Sequence, residues 1–371
     1  MDKYIGFDVD SKKTVACVIQ KGERDRYTTL KTDIGQMKSF LQRQRRPGEK
    51  LNLTFEVSGQ SGYLCDSLLN SVDSITVSNP SKMTWIYRTA KKNDRIDARK
   101  QALLLSIGEI PKVHMPKKQI RQWRQTIQHR RKQVKHITQV KNSTRALLKS
   151  VGITKPGCSK SWWTKSNRNW MYRLCQESRD TVDLGWQLNL KHMLDHLNLL
   201  ECQRNDITKR LDDYLLKQPG WMLLRSIPGI GPRTAEAILA YTDDAARFRR
   251  TRQYCAYFGL TPRLDESGST RRLGHISKQG PSVVRWLIVE STWRAIRCSP
   301  SLKAFYERIM AGQKSRKKIA LIATARKILT IIRAMLTTGE FFNERLVSQY
   351  CYLQDYRSKS SKAKHRQLIH N

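Results

Sequence analysis

Acidic residues are scarce in this 371-residue chain: 31 Asp and Glu stand against 70 Lys and Arg, a formal charge of +39. An imbalance of that size argues against an enzyme for small neutral metabolites and asks for a polyanionic partner. Paired cysteines are also lacking. The eight cysteines, at positions 17, 65, 158, 175, 202, 255, 298 and 351, are scattered singly with no Cys-x-x-Cys. They read as reduced, mostly buried thiols rather than zinc ligands. No apolar run approaches the ~20 residues of a membrane span. The opening Met1-Asp2-Lys3-Tyr4-Ile5-Gly6 enters a strand without the layout of a signal peptide. The expectation is a cytoplasmic protein that meets no membrane. What is present is a folding composition: 39% hydrophobic residues, nine Trp and thirteen Tyr, too apolar for a disordered basic tail. At roughly 100–200 residues per domain, the length predicts two or three domains.

Residues 4–20 read as a strand, a turn at Asp10–Lys13 and a second strand from Thr14 to Ile19. Helical spacing over Gln36–Arg43, a strand over Leu51–Val57, a helix over Tyr63–Leu69, a strand over Ser74–Ser78 and a helix from Asp94 to Leu105 predict a mixed α/β domain over 1–115. No Asp or Glu occurs between Glu109 and Glu177, and Lys117–Lys149 alone holds eleven Lys and Arg. Ile120, Trp123, Ile127, Val134 and Ile137 recur in heptad-like steps there. A second series follows at Leu190, Met193, Leu197, Leu200, Ile207, Leu211 and Tyr214. Together they predict a basic antiparallel helical or coiled-coil arm over 116–218, with an irregular Trp-rich insertion over Lys155–Trp170. Residues 219–345 form a further, mostly helical domain, and 346–371 a basic Ser/Lys-rich tail expected to be disordered.

Four constellations bear chemistry. Asp8 and Glu56 end predicted strands, while Asp94 and Asp97, three apart, share one helix face. Gathered together, four carboxylates need hard cations such as Mg²⁺ between them, and paired ions of that kind clamp a scissile phosphate. The plain alternative is that Asp94 and Asp97 are salt-bridged to neighbouring Lys and Arg and that Asp8 is a turn residue. Second, Ser226–Ala235, with Gly229 and Gly231, has the form of a helix-hairpin-helix contact to a DNA backbone; an ordinary turn capping the helix Thr234–Tyr241 has the same form. Third, the turn Gly259–Arg272 reads by itself as a solvated loop, yet Arg263, Arg271, Arg272 and Lys278 would surround a phosphate brought there. A Ser hydroxyl in it attacks phosphorus only if something lowers its pKa. Fourth, Lys117, Lys118, Arg121, Arg124, Arg130, Arg131 and Lys135 suit a nucleic-acid backbone, while Trp162 and Trp163 are the candidates for stacking on bases. Trp123 and Trp186 read as core. His192 and His196 read as surface residues, since the stretch between them lacks the Glu of a zinc-protease helix.

In chain order, Gly6-Phe7-Asp8, Phe55–Gly59, Asn79-Pro80, Lys92–Ala98, Pro228–Gly231, Gly259–Pro262 and Glu266-Ser267-Gly268 resemble one family, from residue 4 to about 340. It is the insertion-sequence transposases of family one hundred ten, the DEDD transposases or bridge recombinases. The resemblance implies an N-terminal RuvC-like (RNase H-type) domain, a coiled-coil arm, and a C-terminal transposase domain with a serine nucleophile. By position it implies Asp8, Glu56, Asp94 and Asp97 as the metal-binding acids, with Mg²⁺ or in substitution Mn²⁺, and Ser267 as the nucleophile. It further implies a non-coding bridge RNA that pairs with target and donor DNA, dimers that assemble into tetramers, and a place in the bacterial cytoplasm at the nucleoid. Asp10 and Ser269 neighbour two of these positions and share their chemistry. The expected activity is RNA-guided DNA cleavage and strand exchange through a covalent phosphoserine. The alternatives are a metal-dependent junction-resolving nuclease using the same acids, and a non-catalytic nucleic-acid-binding protein.

Overall fold

The computed structural model describes residues 1–83, 93–157, 161–176, 185–267 and 270–345, without the side chains of 264–273. The expected disorder of the tail, and Ser269, lie outside the described residues. The chain forms two compact units, Met1–Arg121 and Gln122–Asn371.

The first unit is a five-stranded sheet with helices on both faces. Its strands are β1 (Lys3–Val9), β2 (Lys13–Gln20), β3 (Arg26–Lys31), β4 (Leu51–Glu56) and β5 (Ser74–Ser78), in the order β3-β2-β1-β4-β5. β1, β2 and β3 run antiparallel, while β1, β4 and β5 run parallel. Because side chains alternate along a strand, each strand divides its residues between two layers. Ile5, Phe7, Leu53 and Phe55 face the main core, with Met37, Phe40 and Leu41 of α1 (Ile34–Gln44) and Leu64 and Leu68 of α2 (Ser61–Leu68). Val15 and Cys17 face the other way, onto Ala98 of α3 (Asp94–Ser106). β3 is absent from the sequence reading: its residues are mostly exposed, so it lacks an alternating pattern, and pairing with β2 alone makes it a strand.

α3 begins as helix chemistry dictates. The Asn93 side chain accepts the Arg95 N–H at 3.0 Å, and Asp94 and Asp97 stand in the first turn, where the helix dipole favours negative charge. The helix then lies so close to β1 that a Cβ on Gly6 would stand 2.1 Å from the Ala98 carbonyl oxygen and 2.8 Å from the Ala102 nitrogen. Arg99 holds its outer side to Asp25 at 2.5 Å, and Arg95 lies over the Tyr27 ring.

The second unit opens on α4 (Lys118–Ser150), a 33-residue helix whose first turn belongs to the unit before. It runs antiparallel to α6 (Trp186–Leu216): Trp123 stacks on Tyr214 at 4.9 Å, Arg130 donates to Thr208, Ile137 packs with Leu197 and Leu200, and Leu148 packs with Leu190. The predicted helical pair is therefore present, with one local difference. The inward position of the fourth turn is Gln133, which donates to Gln203 at 3.3 Å, so Val134 turns outward and is 40% exposed. The Trp-rich stretch is also more ordered than its composition implies, because α5 (Lys165–Gln176) begins inside it. Arg168 on α5 grips Glu201 on α6 with two bonds of 2.6 and 2.9 Å, and Lys141 adds a second cation at 2.9 Å.

A helical cluster follows, made of α7 (Trp221–Arg225), α8 (Pro232–Thr242), α9 (Thr251–Tyr257), α10 (Ser282–Cys298), α11 (Pro300–Met310) and α12 (Lys317–Thr338). Between α9 and α10 a hairpin of β6 (Pro262–Ser267) and β7 (Thr270–Ile276) replaces the loop expected from its Gly and Ser content. Gly229 has a φ of +86°, and a Cβ there would stand 2.6 Å from the Ala295 nitrogen of α10. Only glycine suits both the left-handed backbone and that approach.

Two outcomes follow. Gly6→Ala has no room beneath α3 and is expected to destabilise the Met1–Arg121 unit by about 1–3 kcal/mol, seen in calorimetry as an earlier transition. Glu201 is held well below the ordinary carboxylate value of 4.5, at about 2, chiefly by the Arg168 hydrogen bonds and then by Lys141, against the opposing effect of burial. A carboxyl depressed by folding stabilises the fold fully above the unfolded value, and that contribution fades as pH falls from about 4.5 towards 2. Glu201→Gln is expected to remove this part of the acid transition of the helical arm, followed by far-UV circular dichroism.

Candidate functional site

The acids predicted from sequence lie at one edge of the first unit. Gly6 pairs in register with Thr54, and Gly6 faces α3, so Asp8 and Glu56, each two residues on, face α3 as well from the ends of parallel neighbouring strands. Ser78, opposite Glu56 on β5, confirms the face by donating to Gln101 of α3 at 3.4 Å. The α3 end that reaches this edge is its N-terminal turn, with Asp94 and Asp97. The anchor is Lys13 at the start of β2, whose Nζ lies 2.6 Å from an Asp94 carboxylate oxygen. Asp94, hydrogen-bonded to that ammonium, raises the Lys13 pKa above its ordinary value. The charges of Asp10 and Asp8 add to the effect while desolvation opposes it.

Three of the acids, Asp8, Asp10 and Asp94, thus converge electrostatically on one lysine. The salt-bridge alternative for Asp94 holds in part, but its partner is Lys13 from another strand rather than a neighbour on α3. A divalent ion suits these donors in kind, since all are carboxylates and Asp8, Glu56, Asp94 and Asp97 are only half-buried. Among the described residues, however, no three His, Cys, Asp or Glu side chains stand together in a metal-holding group. Among the described residues, Lys13 supplies an ammonium to this edge.

In the second unit, Ser267 is the last residue of β6 and pairs with Thr270. Arg271 and Arg272 lie in β7, and Arg263 and Lys278, at the other end of the hairpin, are exposed. Gly231 precedes α8 with no side chain capping its N-terminus. The basic residues of α4 divide by what they touch. Arg121 binds Asp66 and the carbonyls of Pro116 and Gly62. Arg124 donates to the Ala240 and Tyr241 carbonyls and lies 4.9 Å from the Tyr241 ring. These two hold the fold, and burial pushes the Arg124 pKa down. Lys117, Lys118, Arg131 and Lys135 are exposed. Trp162 and Trp163 are half-buried against Leu148, Met171, Leu190 and Leu194, with Lys141 Nζ 5.3 Å from the Trp163 ring. Trp123 is core, as expected.

The sequence reading passes over a cleft of about 920 Å³ where α4 meets α8 and α10, lined by Arg131, Lys132, Val134, Lys135, Glu236 and Trp286 among others. Trp286 is 53% exposed, and its only sequence signal is an aromatic ring on the outward side of an otherwise amphipathic helix. Lys13 gave no signal at all, since a turn lysine acquires its role only from the β1–β2 register. Among the described residues no helix is long and apolar enough to cross a membrane.

Comparison with known proteins converges on one assignment. Residues 5–153 match the DEDD-type IS110 transposase model, and residues 222–307 match the model described as the transposase IS116/IS110/IS902 family. A probable family 20 transposase of Pseudomonas aeruginosa is 30% identical over 150 residues, 40% of this chain and 44% of that protein. The transposase for insertion sequence element IS1111A of Coxiella burnetii is 26% identical over 263 residues, 69% of this chain and 70% of its own. A pilin gene-inverting protein of Moraxella lacunata is 28% identical over 160 residues, covering 43% of this chain and 48% of that protein. This chain spans 44%, 37% and 38% of the curated relatives from Pseudomonas aeruginosa, Streptomyces coelicolor and Sinorhizobium fredii. With the acid-bearing sheet inside the first match and the glycine turn of α8 inside the second, the chain belongs to the IS110 family of transposases.

Proposed function

We propose that this chain is an RNA-guided DNA transposase and recombinase that breaks and rejoins strands through a covalent bond to Ser267. The observation that carries the reading is the order of parts. Acids from two parallel strand ends and one helix turn lie within the DEDD match, and the second family match encloses the hairpin that ends β6 on Ser267. The sheet order, three antiparallel strands followed by two parallel ones with α3 across the acid-bearing face, supports a RuvC-like domain. The pilin gene-inverting relatives favour recombination over simple hydrolysis.

In this reading Asp8, Glu56, Asp94 and Asp97 hold Mg²⁺, with Mn²⁺ as a substitute, and the ion when bound neutralises charge developing at the scissile phosphate. Lys13 balances Asp94 among them when no divalent ion does. Ser267 Oγ attacks the scissile phosphorus, forming one P–O ester as the bond to a deoxyribose oxygen breaks, and the serine proton ends on the departing oxygen. Attack on that ester by a hydroxyl of another strand restores Ser267 and its proton, so one ester replaces another and no nucleotide triphosphate is consumed. Acids and serine belong to different units, which suits a site completed between subunits of a dimer that pairs into a tetramer. A bridge RNA pairing with target and donor DNA supplies sequence choice. The exposed cations Lys117, Lys118, Arg131, Lys135, Arg263 and Lys278, with Arg271 and Arg272 in β7, then need only read backbone. The place of action is the bacterial cytoplasm, at the nucleoid.

The decisive experiment incubates the full chain with its co-purifying RNA and end-labelled donor and target DNA, then resolves covalent adducts on denaturing gels. Ser267→Ala is expected to abolish adducts while Ser269→Ala retains them; cleavage without adducts in the unaltered chain points instead to a junction-resolving nuclease. For the acid edge, Lys13→Met is expected to tighten Mn²⁺ binding about fivefold by removing a competing charge, measured by calorimetric titration. Unchanged or weaker binding places the ion elsewhere.

A further inference from the structure

The cleft between α4, α8 and α10 carries a specific chemistry. Trp286 offers an exposed ring on α10. The Arg131 guanidinium stands 6.0 Å from that ring's centroid and is steadied by a bond to Ser282 Oγ at 3.3 Å. Val134, turned outward by the inward Gln133, extends the apolar wall. Lys132 and Lys135 line the rim of the same helix. Glu236, 1% exposed, closes the inner wall of the cleft, with Arg233 at 2.9 Å from Oε2 and the Trp123 indole hydrogen-bonded to its carboxylate. An aromatic plane beside a guanidinium, with two ammonium groups at the rim, suits a base that carries a phosphate.

We propose that this cleft takes one unpaired nucleotide, its base on the Trp286 ring beside Arg131 and its phosphate held by Lys132 and Lys135. Arg131, Lys132 and Lys135 at the mouth of the cleft favour a polyanion over the other occupant an apolar cleft suggests, a second copy of this chain. A base in a duplex cannot present its face to a ring, so the site discriminates single strands from duplexes. The inference rests on the nucleic-acid reading above and deepens it by naming where an unpaired nucleotide sits. RNA and displaced DNA share this chemistry.

The test measures fluorescence anisotropy of labelled 12-residue oligonucleotides with the full chain: oligo-dA, oligo-dT, oligo-rA, oligo-rU and a duplex of equal length. Trp286→Ala, at an exposed position, is expected to weaken single-strand binding about tenfold and to leave duplex binding within twofold. Trp286→Phe is expected to restore most of the loss. A loss confined to the RNA arms assigns the nucleotide to RNA, and one confined to the DNA arms assigns it to a displaced strand; either supports the site. Equal losses on single strands and duplex, no loss at all, or a change in oligomeric mass with single-strand binding intact overturns it. Covalent adducts measured in parallel separate the two readings: adducts absent with the single-strand effect present sinks the recombinase proposal alone.

Discussion

The close approach of α3 to β1 at Gly6 is the constraint on which the N-terminal unit depends. A helix laid backbone-to-backbone on a strand has little freedom to slide, because the Ala98 carbonyl and the Ala102 amide already fill the space a side chain would need. The acids at the helix N-terminus are thereby fixed over the ends of β1 and β4. Ala98 and Ala102, both fully buried, are small for the same reason. The Asn93 cap and the Arg99–Asp25 pair hold the helix at its start and along its outer side.

Much of this was legible in the sequence because it follows from local periodicity. The strands read over Tyr4–Ile19 and Leu51–Val57, and the helix read from Asp94, are present, and their ends carry Asp8, Glu56, Asp94 and Asp97. What escaped depends on partners distant in sequence. β3 is an edge strand with no buried face to announce it, and α5 is helical because Arg168, Tyr172 and Met171 find partners on α6, not because its Trp-rich approach looks helical. Val134 was assigned to the inner row by a heptad count that the Gln133–Gln203 pair displaces by one residue. The cleft beneath Trp286 was out of reach for the same reason: three helices far apart in the chain build it.

The basic composition resolves into two populations once partners are visible. Arg124, Arg247, Arg285 and Arg333 donate to backbone carbonyls of their own unit, stitching loops and helix ends together. Lys117, Lys118, Arg131, Lys132 and Lys135 remain exposed along or beside one face of α4. Arginine suits the first task, since its planar fork keeps its charge when partly buried, and both types suit the second. Net charge alone could not separate them.

The amide pair in the helical arm has a mechanical meaning. Across the antiparallel helix pair, the Gln133–Gln203, Arg130–Thr208 and Lys141–Glu201 contacts would all be lost if one helix shifted by a turn, so together they pin the alignment. A 33-residue helix locked in this way is a strut of about 50 Å, too stiff to shorten and unable to telescope. The two ends of that helix are therefore held at a set separation.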